Sequence, residues 1–189
     1  MALPQIKQDA TDARLAALDM PQGGWAQAAR EDALARVQAM GLPSGRDEYW
    51  KYTRPDTLVQ PEAPRAALLT SDEELIFSAV DRLKIVFVDG VFSAEDSDDL
   101  AMDHVTIDRL ADAPDIHWAK DIYGVLETRG QTPVQRPLAA LNTAFATDGV
   151  LIHVTGTPSK PISLIYRHES ETSDAILHHV VKIDAGAEL

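Results

Sequence analysis

The chain contains no cysteine among its 189 residues. That excludes disulfides, thiolate metal ligands and cysteine nucleophiles within it. Cations are scarce as well: 17 Lys and Arg stand against 30 Asp and Glu, giving a net charge of −13. Such a field repels nucleic acid and anionic membrane, and no basic cluster interleaved with aromatics offsets it. Long apolar runs are also missing. The opening MALPQIKQDATDAR carries no apolar segment of a leader peptide, and no later run approaches a membrane span. The cytoplasm is the expected location. What is present is ordinary for a soluble, packed protein, with 45% hydrophobic and 25% charged residues.

The front of the chain reads as helical. Residues Asp9 to Asp19 form a short helix carrying Leu15 and Leu18, stopped by Pro21. A second helix places Trp25, Ala29, Ala33, Val37 and Met40 on one face, with Gly41 at its C-terminal stop and Pro43 behind it. The two are expected to pack antiparallel. In GLPSGRDEYWKYTRPDTL, Asp47 is expected to cap a short turn containing Glu48, Trp50 and Tyr52, with Trp50 and Tyr52 wedged against the next layer. Gln60 to Arg65 reads as a linker, and Ser71 as the N-cap of a further helix.

KIVFVDGVFS is the clearest hairpin, since Asp89-Gly90 suits a type I′ turn between two apolar runs. The acidic SAEDSDDLAMD lacks the glycine and terminal glutamate of an EF-hand, and reads as a solvated loop. Val105 to Leu110 reads as a strand. Asp115 to Leu126 reads as a helix burying Ile116, Ala119, Ile122, Tyr123 and Leu126. A short helix over Leu138–Phe145 then leads, past Asp148-Gly149, to three strand-like runs: Val150–Val154, Ile162–Tyr166 and Ile176–Ile183. Alternation puts Val150, Ile152 and Val154 on one face, and Ile162, Leu164 and Tyr166 on another. In the third run His179 shares a face with Leu177, Val181 and Ile183.

Chemistry is harder to find. Six histidines are present (His104, His117, His153, His168, His178 and His179), but none stand at i, i+4 and there is no HExxH. His178 and His179 point to opposite faces of a strand, so at most one serves a given site. GTPSK at Gly156–Lys160 lacks the second glycine of a phosphate loop, and no GxSxG elbow occurs.

Three passages carry a resemblance: Gly41–Thr53 (GLPSGRDEYWKYT), Ile85–Ser97 (IVFVDGVFSAEDS) and Leu141–Tyr166 (LNTAFATDGVLIHVTGTPSKPISLIY). In order and spacing they resemble the SufB/SufD family of iron–sulfur cluster assembly proteins. The WKYT form and the absence of cysteine point to the SufD branch. The resemblance implies an α+β chain: an N-terminal helical and mixed domain over 1–135, then the first turns of a right-handed parallel β-helix over 136–189. It implies a non-catalytic scaffold with no cofactor of its own, the iron–sulfur cluster and ATP being handled by the wider complex. The implied partners are a SufB-like subunit and an ABC-type SufC-like ATPase, not nucleic acid or membrane. The family's cluster-building cysteine and histidine belong to later β-helix turns, so no catalytic residue is carried over and His178 and His179 are not mapped to that role. Glu48, Trp50, Lys51, Tyr52, Asn142 and Gly149 match family motifs and are expected to be structural.

The last residues, AGAEL, read as a turn into a further strand, so the expectation is the front part of a longer protein whose open β edge can self-pair. Two other readings compete with the scaffold: a metal-dependent, cupin-like enzyme using histidines of the β region, and a stand-alone interaction module.

Overall fold

A computed structural model describes residues 3–62, 64–68, 76–114, 118–129, 132 and 134–189. Its architecture is mixed α+β, and the backbone divides into two units, each discontinuous in sequence. One comprises Met1–Pro64 and Ala113–Thr147, the other Arg65–Asp112 and Asp148–Leu189. No single cut near residue 135 separates them, because strands from residues 83–109 pair with strands from residues 150–183.

The first unit is helical. α1 (Gln5–Ala16) begins four residues before the expected start. Pro4 supplies the carbonyl that opens it, and Gln5 to Asp9 and Gln8 to Asp12 side-chain bonds brace its first turns. Its buried positions are Thr11 and Arg14, not the expected Leu15 and Leu18, which are only half-buried. The Thr11 hydroxyl donates to the Lys7 carbonyl and accepts the Leu42 amide, tying α1 to the chain beyond the second helix.

α2 (Gln27–Met40) buries Arg30, Ala33, Val37 and Met40. It packs chiefly against α5 (Pro137–Phe145) rather than α1, contrary to the expected helical pair. Gly41 has φ 65° and ends the helix, as its sequence position requires. Pro137 fixes the first turn of α5. Between them, the helix expected from Asp115 to Leu126 is broken. Residues 115–117 lie outside the described residues; Trp118–Asp121 is a 3₁₀ turn and α4 runs Val125–Arg129. Gly124, at φ 75° and with Thr143 Cγ2 only 2.9 Å from where a Cβ would sit, separates the two and leaves Leu126 exposed.

The centre of this unit is a cation. Arg30 is 4% exposed and donates from Nη1 to the carbonyls of Ala144 (3.1 Å) and Ala146 (2.8 Å), at the C-terminal end of α5. These are carbonyls that a helix end leaves without intrahelical partners, and a cation there also meets the negative end of the helix dipole. The Tyr123 ring lies 5.8 Å from the guanidinium and edge-on to Trp25 at 5.5 Å. The Tyr123 hydroxyl donates to the Thr143 carbonyl, and burial pushes its pKa up to about 12. Burial likewise pulls the Arg30 guanidinium below its usual value.

The second unit holds two three-stranded sheets. β1 (Leu83–Val88) sits between β2 (Val91–Phe92), antiparallel, and β5 (Ile162–Arg167), parallel, with Leu83 opposite Ile162 and Val88 opposite Arg167. β4 (Val150–Val154) sits between β3 (Val105–Arg109), antiparallel, and β6 (Val180–Ile183), parallel, with Leu151 opposite Val180. Successive strands β4, β5 and β6 therefore alternate between the sheets. Alternate residues make the shared core: Leu83, Ile85 and Phe87 of β1, Ile107 of β3, and Val150, Ile152 and Val154 of β4.

The hairpin turn is as expected, with positive φ at both Asp89 (50°) and Gly90 (82°), the requirement of a type I′ turn. The third run is shorter than expected, and its expected face is split: Leu177 packs against the core whereas Val181 and Ile183 do not. Val180 is buried, while Val181 and Ile183 are half exposed. The acidic loop also differs from a merely solvated one. Ser97 Oγ and Asp98 Oδ2 accept the amides of Val86 and Lys84, while the amides of Ser93 and Asp98 bond back to their carbonyls. The loop thus partners part of β1, and Asp96 pairs with Arg167 at 2.5 Å. The N-cap expected at Ser71 lies outside the described residues. No helix among those described is long and apolar enough to cross a membrane.

Candidate functional site

A cleft of about 350 Å³ opens on the helical unit beside the turn that leads into the WKYT segment, of which Trp50 reaches it. Its walls come from three separated stretches: Lys7 of α1, Pro43 to Trp50, and Val134 to Pro137 at the start of α5. The local folding follows from the sequence. Gly41 ends α2, the Leu42 amide is held by Thr11, and Pro43 follows as a buried wall of the cleft. The Asp47 carboxylate does not cap the following turn, as the sequence led us to expect. It reaches back to accept the Ser44 amide at 2.9 Å and the Lys7 ammonium at 3.0 Å. Glu48–Trp50 then forms one 3₁₀ turn.

The motif residues divide on this turn. Trp50 is half-buried and lines the cleft, as does the exposed Glu48. Tyr49 is 69% exposed and Tyr52 91%, so Tyr52 is not wedged against a neighbouring layer. The Lys51 ammonium lies 5.4 Å from the Tyr52 ring centre, in solvent. The charged groups on its described lining are Lys7, Asp47 and Glu48, with Lys7 and Asp47 paired to each other. Sequence reasoning found Trp50, Lys51 and Tyr52 but missed Lys7, Pro43 and Pro137, which only the tertiary fold brings beside them.

The other two motif residues lie elsewhere. Asn142 sits half-buried in α5, where its backbone carbonyl accepts the Ala146 amide. Gly149 is in the β unit, where the backbone of residue 178 passes so close that a Cβ would stand 1.9 Å from the His178 carbonyl oxygen. Beside it Asp148, 5% exposed, accepts from Arg109 Nε and Nη2 and from the Ala111 amide.

The histidines do not converge. His117 lies outside the described residues, and among those described no three His, Asp or Glu side chains are grouped to hold a metal ion. His153 faces Asp184 at 3.0 Å. His168, Ser173 and Asp89 meet in one cluster, but as a clamp and not as a hydrolytic triad. Ser173 Oγ lies 2.8 Å from His168 Nδ1, the same nitrogen that meets Asp89, whereas a triad needs serine and carboxylate on opposite ring nitrogens. Asp89 Oδ1 also accepts the amides of Glu169 and Ser170 and the Ser173 hydroxyl. Chiefly through the His168 bond, its carboxyl is held down to about 2.

His179 is set inside the sheet framework. Its Nδ1 accepts the Val150 amide at 3.0 Å, which assigns the neutral tautomer with hydrogen on Nε2, 2.8 Å from the Tyr166 hydroxyl oxygen. The Phe87 ring lies edge-on to His179 and parallel to Tyr166. Burial lowers the His179 pKa, with Asp148 opposing, and burial raises that of Tyr166.

In comparison with known proteins, residues 18–160 match the family described as the SufBD protein N-terminal region. The match runs through the cleft segment, the hairpin, α5 and β4. No curated protein matches the chain.

Proposed function

The chain belongs to the SufB/SufD family, and we propose that it acts as a SufD-type scaffold subunit in iron–sulfur cluster assembly. Membership itself ties the chain to a family of cluster assembly proteins that are in general scaffolds and not catalysts. The observation that carries the reading is the family match over residues 18–160, which holds all of the cleft segment and the hairpin. The SufD assignment within the family rests on the WKYT form at Trp50–Thr53 and on a sequence without cysteine.

The β unit supports a β-helix reading. In a parallel β-helix, each strand pairs in parallel with its counterpart one coil later, and consecutive strands fall on different sheets. The β1–β5 and β4–β6 pairs are parallel, and β4, β5 and β6 alternate between sheets. We read them as the opening coils of a right-handed parallel β-helix. The outer edges of β5 and β6 are then the surfaces on which further strands, or a second copy, would pair. A SufB-like subunit and a SufC-like ATPase are the proposed partners. With no thiolate in these 189 residues, a nascent cluster, which is cargo here, draws its sulfur ligands from elsewhere in the complex.

Deletion of the gene from its host is the test. Loss of activity in enzymes that need iron–sulfur clusters, restored by the wild-type gene, is the expected result. Undiminished cluster enzymes under iron limitation would overturn the assignment.

A further inference from the structure

The β unit holds a concavity of its own, at the end of the sheet where the parallel strands β1 and β5 begin. Its volume is about 490 Å³, within the range of sites that hold small molecules. Parallel pairing sets Leu83 opposite Ile162, so the residues just ahead of each strand arrive on one rim. Val80, Asp81 and Arg82 come from before β1, and Lys160 from before β5, in the GTPSK stretch that makes no phosphate loop. Lys84 of β1 and Asp98 of the acidic loop complete the charged lining among the described residues.

The charges on this lining do not balance. Asp81 pairs with Lys160 at 3.2 Å and Asp98 with Lys84 at 3.5 Å. The Asp98 carboxyl is held below its usual value by the Lys84 amide and, after it, by the Lys84 and Lys160 charges. Both acids are thus taken, and Arg82 has no carboxylate among the described residues. It is also the most deeply set of the three cations, at 8% exposed. Its Nη1 donates to the Ile76 carbonyl at 3.0 Å, while Nε and Nη2 have no partner among the described residues. Those two nitrogens form one edge of the guanidinium, a fork that matches the two oxygens of a carboxylate. A cation so far out of water is costly until it is paired.

We propose that this basin binds a small organic acid, its carboxylate seated on the Nε–Nη2 edge of Arg82 with Lys84 and Lys160 beside it. Charge decides between the oxyanions. Three cations against two acids leave the described lining with one surplus positive charge. One carboxylate cancels that surplus, whereas a phosphate dianion overshoots it. On a chain of net charge −13, little beyond the lining would offset the excess. The same field turns away nucleic acid and anionic membrane, which would also lie across the acidic remainder of the surface. The inference rests on the β unit's own side chains and not on family membership, so its failure leaves the cluster-assembly reading intact.

The test is a nuclear magnetic resonance titration of the full isotope-labelled chain with lactate, with its neutral amide lactamide, and with inorganic phosphate. Lactate is expected to move the amide signals of Arg82 and Lys84 along a saturating curve. Lactamide should leave them in place, and phosphate should bind more weakly than lactate. Arg82→Lys keeps the charge but removes the fork, and should weaken lactate binding about tenfold. Asp81→Asn, at an exposed position, frees the Lys160 ammonium and should strengthen lactate binding about twofold. Loss of folding could not produce that gain, and signal dispersion elsewhere in the spectrum reports whether each variant is folded. Equal shifts by lactamide, tighter binding of phosphate, or no saturation with lactate would each overturn the proposal. So would unchanged affinity in a folded Arg82→Lys, or an Asp81→Asn that binds no tighter.

Discussion

The helical unit and the β unit solve the same problem by opposite means. In the helical unit, the buried Arg30 guanidinium holds the last carbonyls of α5, and Tyr123 closes over it. In the β unit, apolar rows from β1, β3 and β4 interlock, and the closest polar fit is a backbone crossing at Gly149. The first arrangement is expected to fail when one side chain is removed, the second when one methyl group is added at Gly149.

The largest effect is therefore expected from Gly149→Ala. The new methyl would stand 1.9 Å from the His178 carbonyl oxygen, so β4 and the chain before β6 must separate. A cost of about 4 kcal/mol is expected, read by urea denaturation. Hydrogen exchange should rise in β4 and β6 and stay low in α2 and α5. Equal loss in both sets would break the distinction between the units.

Arg30→Met reverses the pattern. It leaves the Ala144 and Ala146 carbonyls without their donor and should cost about 3 kcal/mol, since hydrogen bonds from a charged group are the strong ones. Protection should fall in α2 and α5 and persist in β1 and β5. A well-tolerated methionine would show that apolar contact alone holds the helices.

Acid sharpens the comparison further, because His179 lies in the β unit. Its folded pKa is lowered from 6.5, so below pH 6.5 the unfolded chain takes up a proton that folded His179 resists. Stability contributed at this site is full above pH 6.5, declines as pH falls, and levels off once pH passes below the folded pKa. Protonation at Nδ1 would also cost the Val150 amide its acceptor. His179→Gln should flatten this part of the stability–pH curve. An unchanged slope would remove His179 as its source.

The smallest effect belongs to the most conspicuous motif residue. Tyr52→Ala should shift stability by no more than about 0.5 kcal/mol, because the ring is 91% exposed. A thermal melt displaced well beyond that would mean Tyr52 packs in solution.

What the sequence made legible follows the same division. The β unit announced itself, since a type I′ turn demands residues tolerant of positive φ and Asp89-Gly90 provides them. Alternation gave the correct inner face of β4. It could not say which strand pairs with which, because a period of two fixes a face and not a neighbour. The long-range parallel pairing of β1 with β5 was hidden for that reason. In the helical unit, hydropathy placed Ala29 on the buried stripe of α2, but Arg30 occupies the interior. Nothing local in the sequence tells a buried arginine from a surface one. Its partners are backbone carbonyls more than a hundred residues away. The cleft was half legible for a similar reason: its aromatics form one motif, while Lys7 and Pro137 arrive by folding.

The most direct measurement of the central claim is native mass spectrometry of the full chain co-expressed with the SufB-like and SufC-like proteins of its own host. The account predicts a stable complex containing all three. Recovery of a SufB–SufC assembly from which this chain is absent would contradict it.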